Sequence, residues 1–273
     1  MGSVRKSAVA GQFYPGDAVR LEKEVDACLL GVSKGEQPLA GFVPHAGYLY
    51  SGKCAGVFYG SLSHVPPLVV LLGPNHTGLG SSIAISGHSG WETPLGDIPV
   101  DQERAFALHS ELGGIGSIDD LAHLREHSLE VHLPFLMRLR PDVTILPVTL
   151  SFLTFEIIER FAHALQVVTG DLSSSGVLLI ASTDMSHFVS ARKAHELDHM
   201  ALEHALAMDP HGLYNTVREK NISMCGIIPS TAALCWAMER NASACRLLSY
   251  TNSGEVSGDL DSVVAYASLG IYL

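Results

Sequence analysis

Short, unbroken apolar runs alternate along this chain with longer segments of helical period, and that alternation narrows the fold more than any other feature. The runs are Leu39–Val43, Leu68–Leu72, Ile83–Ser86, Val143–Leu150, Val177–Ala181, Arg246–Tyr250 and Val263–Ile271. They are rich in Val, Leu and Ile without strict polar alternation, so they read as strands covered on both faces. Between them, Ala18–Leu30, Ser51–Leu62, Asp101–Leu112, Ser128–Leu139, Phe155–Thr169, Ala191–Met208, Gly212–Glu219 and Ser230–Asn241 read as helices. Asp17, Asp101 and Ser230 are placed to cap three of them. Strands alternating with helices give an α/β class: a mixed central sheet flanked by helices. No linker, low-complexity tract or repeat divides the sequence, so residues 1–273 are read as one domain.

Charge narrows the partners. Seventeen Lys and Arg stand against 28 Asp and Glu, a formal net charge of −11. A nucleic-acid footprint demands the opposite sign, so DNA and RNA are disfavoured. No apolar stretch approaches the ~20 residues that a membrane helix needs. The opening residues carry no apolar signal run, and Lys6 stands where an N-myristoylation motif wants Ser or Thr. Five cysteines, odd in number and sparse, form no disulfide framework. The expected setting is a reducing cytoplasm.

Histidine directs attention to site chemistry, with 14 in 273 residues. Three strand readings end alike: Val43 runs into Pro44-His45-Ala46-Gly47-Tyr48, Leu72 into Gly73-Pro74-Asn75-His76, and Ala181 into Ser182-Thr183-Asp184-Met185-Ser186-His187. Ligands of open α/β sheets bind beyond the carboxyl ends of strands, where these histidines can converge. Cys225, in the loop Met224-Cys225-Gly226-Ile227-Ile228-Pro229, becomes a credible ligand beside such imidazoles. Cys28, Cys54, Cys235 and Cys245 lie within helix or strand patterns and read as buried hydrophobes.

Glu126-His127-Ser128-Leu129-Glu130-Val131-His132 is dense in polar groups ahead of an apolar helix. His127 is a candidate pocket residue and His132 a weaker one, while Glu126 and Glu130 share a face. His195-Glu196-Leu197-Asp198-His199 spells the H-E-x-x-H of zinc peptidases. Its neighbours Arg192, Lys193, Glu196, Asp198 and Glu203 instead resemble a solvated helix face. No aromatic cage or phosphate loop is visible.

Taken together, Pro44-His45-Ala46-Gly47-Tyr48, Gly73-Pro74-Asn75-His76, Glu126–Phe135, Ser182–His187 and Cys225-Gly226 resemble the Memo family in order and spacing. Its prokaryotic branch is called AmmeMemoRadiSam system protein B. Gly11-Gln12-Phe13-Tyr14-Pro15 and Ser262-Val263-Val264-Ala265-Tyr266 look similar too, so the resemblance spans nearly the whole chain. It implies a fold like the class III extradiol dioxygenases (LigB-like). It implies a metal held by His45, His76 and Cys225, where those enzymes use two His and a carboxylate. Asp184 and His187 match polar residues beside that site, with His187 as the acid/base and Asp184 fixing its tautomer. His127 and Asn75 are placed as pocket residues. Thr183 stands where Ser is more usual.

Two readings of function follow from the resemblance. One is a non-haem iron(II) oxidoreductase with an unidentified small-molecule substrate, working with a radical-SAM protein of the same system. The other is a non-catalytic protein that binds iron or copper, or a protein-interaction module, as in eukaryotic relatives linked to receptor signalling. Thiolate in place of carboxylate keeps copper and zinc in play beside iron(II). A zinc peptidase through His195 and His199 is the third and weakest alternative.

Overall fold

The computed structural model describes residues 2–173 and 175–273. In chain order these form β1 (Val4–Arg5), α1 (Ala18–Leu29), β2 (Ala40–Val43), α2 (Tyr48–Ser61), β3 (Leu68–Pro74), β4 (Ile83–Ile85), β5 (Gly90–Thr93), β6 (Gly96–Pro99), α3 (Gln102–Glu111) and β7 (Ser117–Ile118). There follow α4 (Leu133–Leu139), β8 (Thr144–Leu150), α5 (Phe155–Thr169), β9 (Val177–Ser182), β10 (His187–Val189), α6 (Ala191–Leu206) and α7 (Pro210–Glu219). The chain closes with α8 (Ile227–Glu239), β11 (Ala244–Asn252), α9 (Gly254–Ser257) and β12 (Val263–Tyr272).

Nine strands make one mixed sheet in the order β10-β12-β2-β9-β3-β8-β4-β7, with β11 paired to β12. Its centre, β2-β9-β3-β8, is parallel, whereas β12 and β4 run antiparallel to their central neighbours. Strand periodicity sends alternate side chains to opposite faces. In β3, Leu68, Val70 and Leu72 enter one apolar core, while Val69 and Leu71 enter another. In β9, Val177, Leu179 and Ala181 join the first core, and Leu178 and Ile180 the second. Residues of α5 to α8 fill the first core and residues of α1, α2 and α4 the second. Covered on both faces, these strands have no use for polar alternation. The result is a single α/β domain, and among the described residues no helix is long and apolar enough to cross a membrane.

All seven sequence-read strands are present, with ends moved by a residue or two. Asp17 and Asp101 cap α1 and α3 by accepting the amides of Arg20 and Arg104. Two readings need correction. The helix expected over Ser128–Leu139 begins only at Leu133, after a 3-10 turn at Glu130–His132. Ser128 there donates its hydroxyl to the carbonyl of Pro74, which holds the segment to the end of β3. Ser230 caps nothing: α8 starts at Ile227, and Ser230 lies buried in its first turn with its amide donating to Gly226. Five strands were not anticipated, β1, β5, β6, β7 and β10, each of two to four residues. β1, β5 and β6 form a separate three-stranded sheet.

Candidate metal centre

Register brings the site together. β9 lies between β2 and β3 and parallel to both, so their carboxyl ends emerge side by side. Val43 pairs with Ser182, which sets His45 level with Asp184 two residues further on. His76 lies two residues beyond Pro74, the last residue of β3. The His45 and His76 rings are 5.1 Å apart, and His127 stacks on His76 at 4.7 Å. Cys225 arrives from the turn ahead of α8, its Sγ 3.3 Å from His45 Nε2 and receiving the Asp184 amide at 3.3 Å.

Gly226 permits that approach. A Cβ there would sit 2.3 Å from both the Ser182 carbonyl oxygen and Thr183 Cβ. Gly226→Ala must therefore push the turn off the end of β9, at a cost of about 1–3 kcal/mol. Denaturant midpoints with and without added metal check this; a variant as stable as wild type would mean the turn yields freely.

Hydrogen bonds fix which nitrogens are available. The Ser182 hydroxyl has one proton and gives it to the Ser128 carbonyl at 2.6 Å. It must then accept from His45 Nδ1 at 2.7 Å and from His132 Nε2 at 2.8 Å. His45 is thus an Nδ1–H tautomer whose Nε2 lone pair faces Cys225. His132 Nδ1 in turn accepts from the Tyr59 hydroxyl at 3.0 Å. His76 donates Nδ1–H to Glu126 Oε1 at 2.9 Å, leaving its Nε2 free. Glu126 also accepts the amides of His76, His127 and Ser128. An outer partner on the second ring nitrogen is the arrangement that orients metal-binding histidines.

Charges follow from burial. Burial, then the neighbouring imidazoles, hold His45 well below the ordinary histidine range, so it is neutral. Burial alone brings His132 to about 3. Burial would raise Glu126, but the hydrogen bond and charge of His76 and the Ser128 amide outweigh it and bring its carboxyl to about 2. Burial pushes Asp184 up to about 6, against the His45 amide that it accepts. Burial and then Asp184 raise the Cys225 thiol, so losing that proton requires a strong local positive charge.

The donor atoms of His45, His76 and Cys225 all lie within 4.8 Å of one another. Tetrahedral donors at ordinary zinc bond lengths sit about 3.3–3.8 Å apart, so small movements close the set. Two imidazoles, each with its Nδ1 bonded to an outer partner, and one thiol suit a borderline divalent ion. His76, Glu126 and His127 form a second group at similar spacing. There, however, Oε1 of Glu126 is already engaged by three N–H donors.

Other anticipated residues lie where the sequence could not specify. His187 lines a cavity beside the donor set, together with His127 and Asp184. Its Nδ1 donates to the Ser223 carbonyl at 2.9 Å, so that carbonyl, not Asp184, fixes its tautomer. Asp184 instead accepts the His45 amide and lies 3.9 Å from His45 Nε2. The Asn75 side chain bonds Thr77, Gly78 and Leu79 within its own loop and is not among the residues lining that cavity. His132, the weaker candidate, is fully part of the Ser182 network. The His195 and His199 rings stack at 3.8 Å, and among the described residues no third donor completes a metal-holding group with them. Asp198, read as part of a solvated face, is buried and binds Ser186 and Tyr250.

The family model described as Memo-like protein matches residues 5–270. A MEMO1 family protein of Methanosarcina mazei is 41% identical over 97% of this chain and 98% of its own length. One from Aquifex aeolicus is 39% identical over 97% and 98%, and one from Sulfurisphaera tokodaii 38% identical over the same shares.

Proposed function

The chain belongs to the Memo family, and on that premise we propose that His45, His76 and Cys225 hold one divalent metal ion, iron(II) first, in an oxidoreductase. The observation that carries this reading is the pair of outer partners, Ser182 and Glu126, that leave both Nε2 lone pairs free beside one thiol. Three protein ligands leave coordination positions open, and iron(II) when bound would supply Lewis acidity and one-electron redox chemistry there. Copper or zinc would suit the same donors. The class III extradiol dioxygenase likeness, a radical-SAM partner and a cytoplasmic setting belong to this proposal as well.

The protein's own groups then divide the work. His187, with Nδ1–H on Ser223, offers its Nε2 lone pair and serves as acid/base toward a bound molecule. Asp184 holds the His45 backbone in place and adds negative charge next to the donors. Phe13, 4.7 Å from the His127 ring, walls the site on the side of the amino-terminal segment.

Metal content of anaerobically prepared protein tests the site. His45→Ala, His76→Ala and Cys225→Ser are each expected to lose most bound iron, and Glu126→Gln to weaken binding about 10–100-fold. Undiminished metal in all three ligand variants would end the proposal. Oxygen uptake that depends on His187 would support catalysis; firm metal retention without any turnover would make the protein a binder instead.

A further inference from the structure

A cavity of about 470 Å3 opens beside the donor set, and its lining is chemically one-sided. Three aromatic side chains line it: Phe13 ahead of α1, Tyr50 from the first turn of α2, and Tyr266 from β12. Two carboxylates line it as well, Asp184 at the inner end and Asp259 from the loop between α9 and β12. No Lys or Arg is among the described residues that line it. Lys53 lines a neighbouring hollow that shares Tyr50. These groups are some 250 positions apart in the chain, so only the fold assembles them.

The two ends differ. At the inner end Asp184 is buried, and Oδ1 is occupied by the His45 amide. At the outer end Asp259 is exposed, and its Oδ1 accepts the amides of Asp261 and Ser262. Those bonds hold the carboxylate in one orientation and leave Oδ2 for a ligand. Aromatic side chains and a carboxylate, with no Lys or Arg beside them, are what recognise an ammonium group; the imidazoles of His127 and His187 also line the cavity, with Asp184. At the outer end a carboxylate or phosphate would meet Asp259 with no Lys or Arg in the lining to pair it.

We propose that this cavity selects small amine-bearing molecules, with the ammonium group against Asp259 and the other end of the molecule toward His187 and the donor set. The inner half of this statement rests on the metal reading given above; the selection by charge rests on the outer wall alone.

Calorimetric titration of the full chain at pH 7 with tyramine and with 3-(4-hydroxyphenyl)propionate tests it, because the two probes share ring and spacer and differ in charge. Tyramine is expected to bind about two- to fivefold tighter, the effect of one exposed ion pair. Asp259→Asn keeps the oxygen that accepts the loop amides and should bring the two probes to near parity. Equal or tighter binding of the carboxylate would overturn the proposal, as would no binding of either probe or a preference that survives Asp259→Asn. Iron analysis of the same samples reports on the donor set separately. An amine preference in protein that takes up no added iron(II) would sink the metal reading and leave this one standing.

Discussion

Arg5→Ala should cost about 3–5 kcal/mol of stability, a large share of the 5–15 kcal/mol that holds a domain folded. Arg5 is 1% exposed and packs over the Trp91 ring at 4.2 Å. Its guanidinium donates to the carbonyls of His123 and Glu126 at 2.6 and 2.7 Å and to Glu130 Oε2 at 2.6 Å. Glu130 accepts further from the amides of Ala8 and Val9 and from the Tyr14 hydroxyl. Removing the cation strands a buried carboxylate in the middle of this set. Lys is no substitute, because one ammonium cannot reproduce the planar fork that reaches three acceptors. The network also ties residues 5–14 to the Glu126 segment, so Phe13 should loosen from His127 in the variant and the amino-terminal segment become open to proteolysis. Urea unfolding of Arg5→Ala and Arg5→Lys checks the magnitude, with Lys6→Ala as control: Lys6 makes the exposed pair with Glu92 and should leave the midpoint almost unmoved. A loss below about 1 kcal/mol for Arg5→Ala would mean that water or a shifted chain solvates Glu130.

How much of this could be read from the sequence depends on how far apart the cooperating residues lie. Strands such as Val69–Leu72 and Leu178–Ala181 were legible because double-sided burial writes itself as an unbroken apolar run. β1, β5, β6, β7 and β10 were not, since stretches such as Val4-Arg5 or Ser117-Ile118 are too short to carry a period. His45 and His76 stood out because each follows a strand end within Gly/Pro-rich sequence. Ser182 sits inside the Ser182–His187 motif, and no local pattern marks it as the shared acceptor for His45 and His132. That role needs β2 and β9 in register, a tertiary fact. The acidic residues of the Glu126 segment were ambiguous for the same reason. A charge facing solvent and one facing a buried partner look identical until Arg5, over 120 residues away in the chain, is placed beside Glu130. His187 shows the limit from the other side: its position past a strand was legible, but the Ser223 carbonyl that orients it was not.

Acidification of the metal-free protein should unfold it near pH 4, with stability already falling from about pH 6.5, above the range in which simple carboxylate protonation acts. The cause is a set of buried histidines. Burial holds His132 at about 3, and burial together with Arg5 holds His123 at about 3; burial also keeps His45 well below its ordinary value. Each is neutral when folded, whereas in the unfolded chain each takes up a proton near pH 6.5. No penalty exists above that value. As pH falls below it, the unfolded state gains protons that the folded state refuses, and each histidine removes about 1.4 kcal/mol of stability per pH unit. For His123 and His132 the loss continues down to about pH 3. Asp184 opposes it, because its carboxyl is raised to about 6 and so binds its proton earlier in the folded state than in the unfolded chain. Three histidines against one carboxyl leave a net slope of about 3 kcal/mol per unit. That slope consumes a stability of 5–15 kcal/mol within about two to five units below pH 6.5, and one of about 8 kcal/mol near pH 4. Below pH 4.5 Glu126 steepens the fall, since its folded carboxyl near 2 stays ionised while the unfolded one protonates. Urea midpoints between pH 7.5 and 4.5 measure the slope. His132→Gln can still donate to Ser182 but cannot titrate, so it should lower the slope by about 1.4 kcal/mol per unit. Stability that stays level from pH 6.5 to 4.5 would show that these imidazoles find water or carboxylate partners before they charge, and that the buried network is looser than its hydrogen bonds indicate.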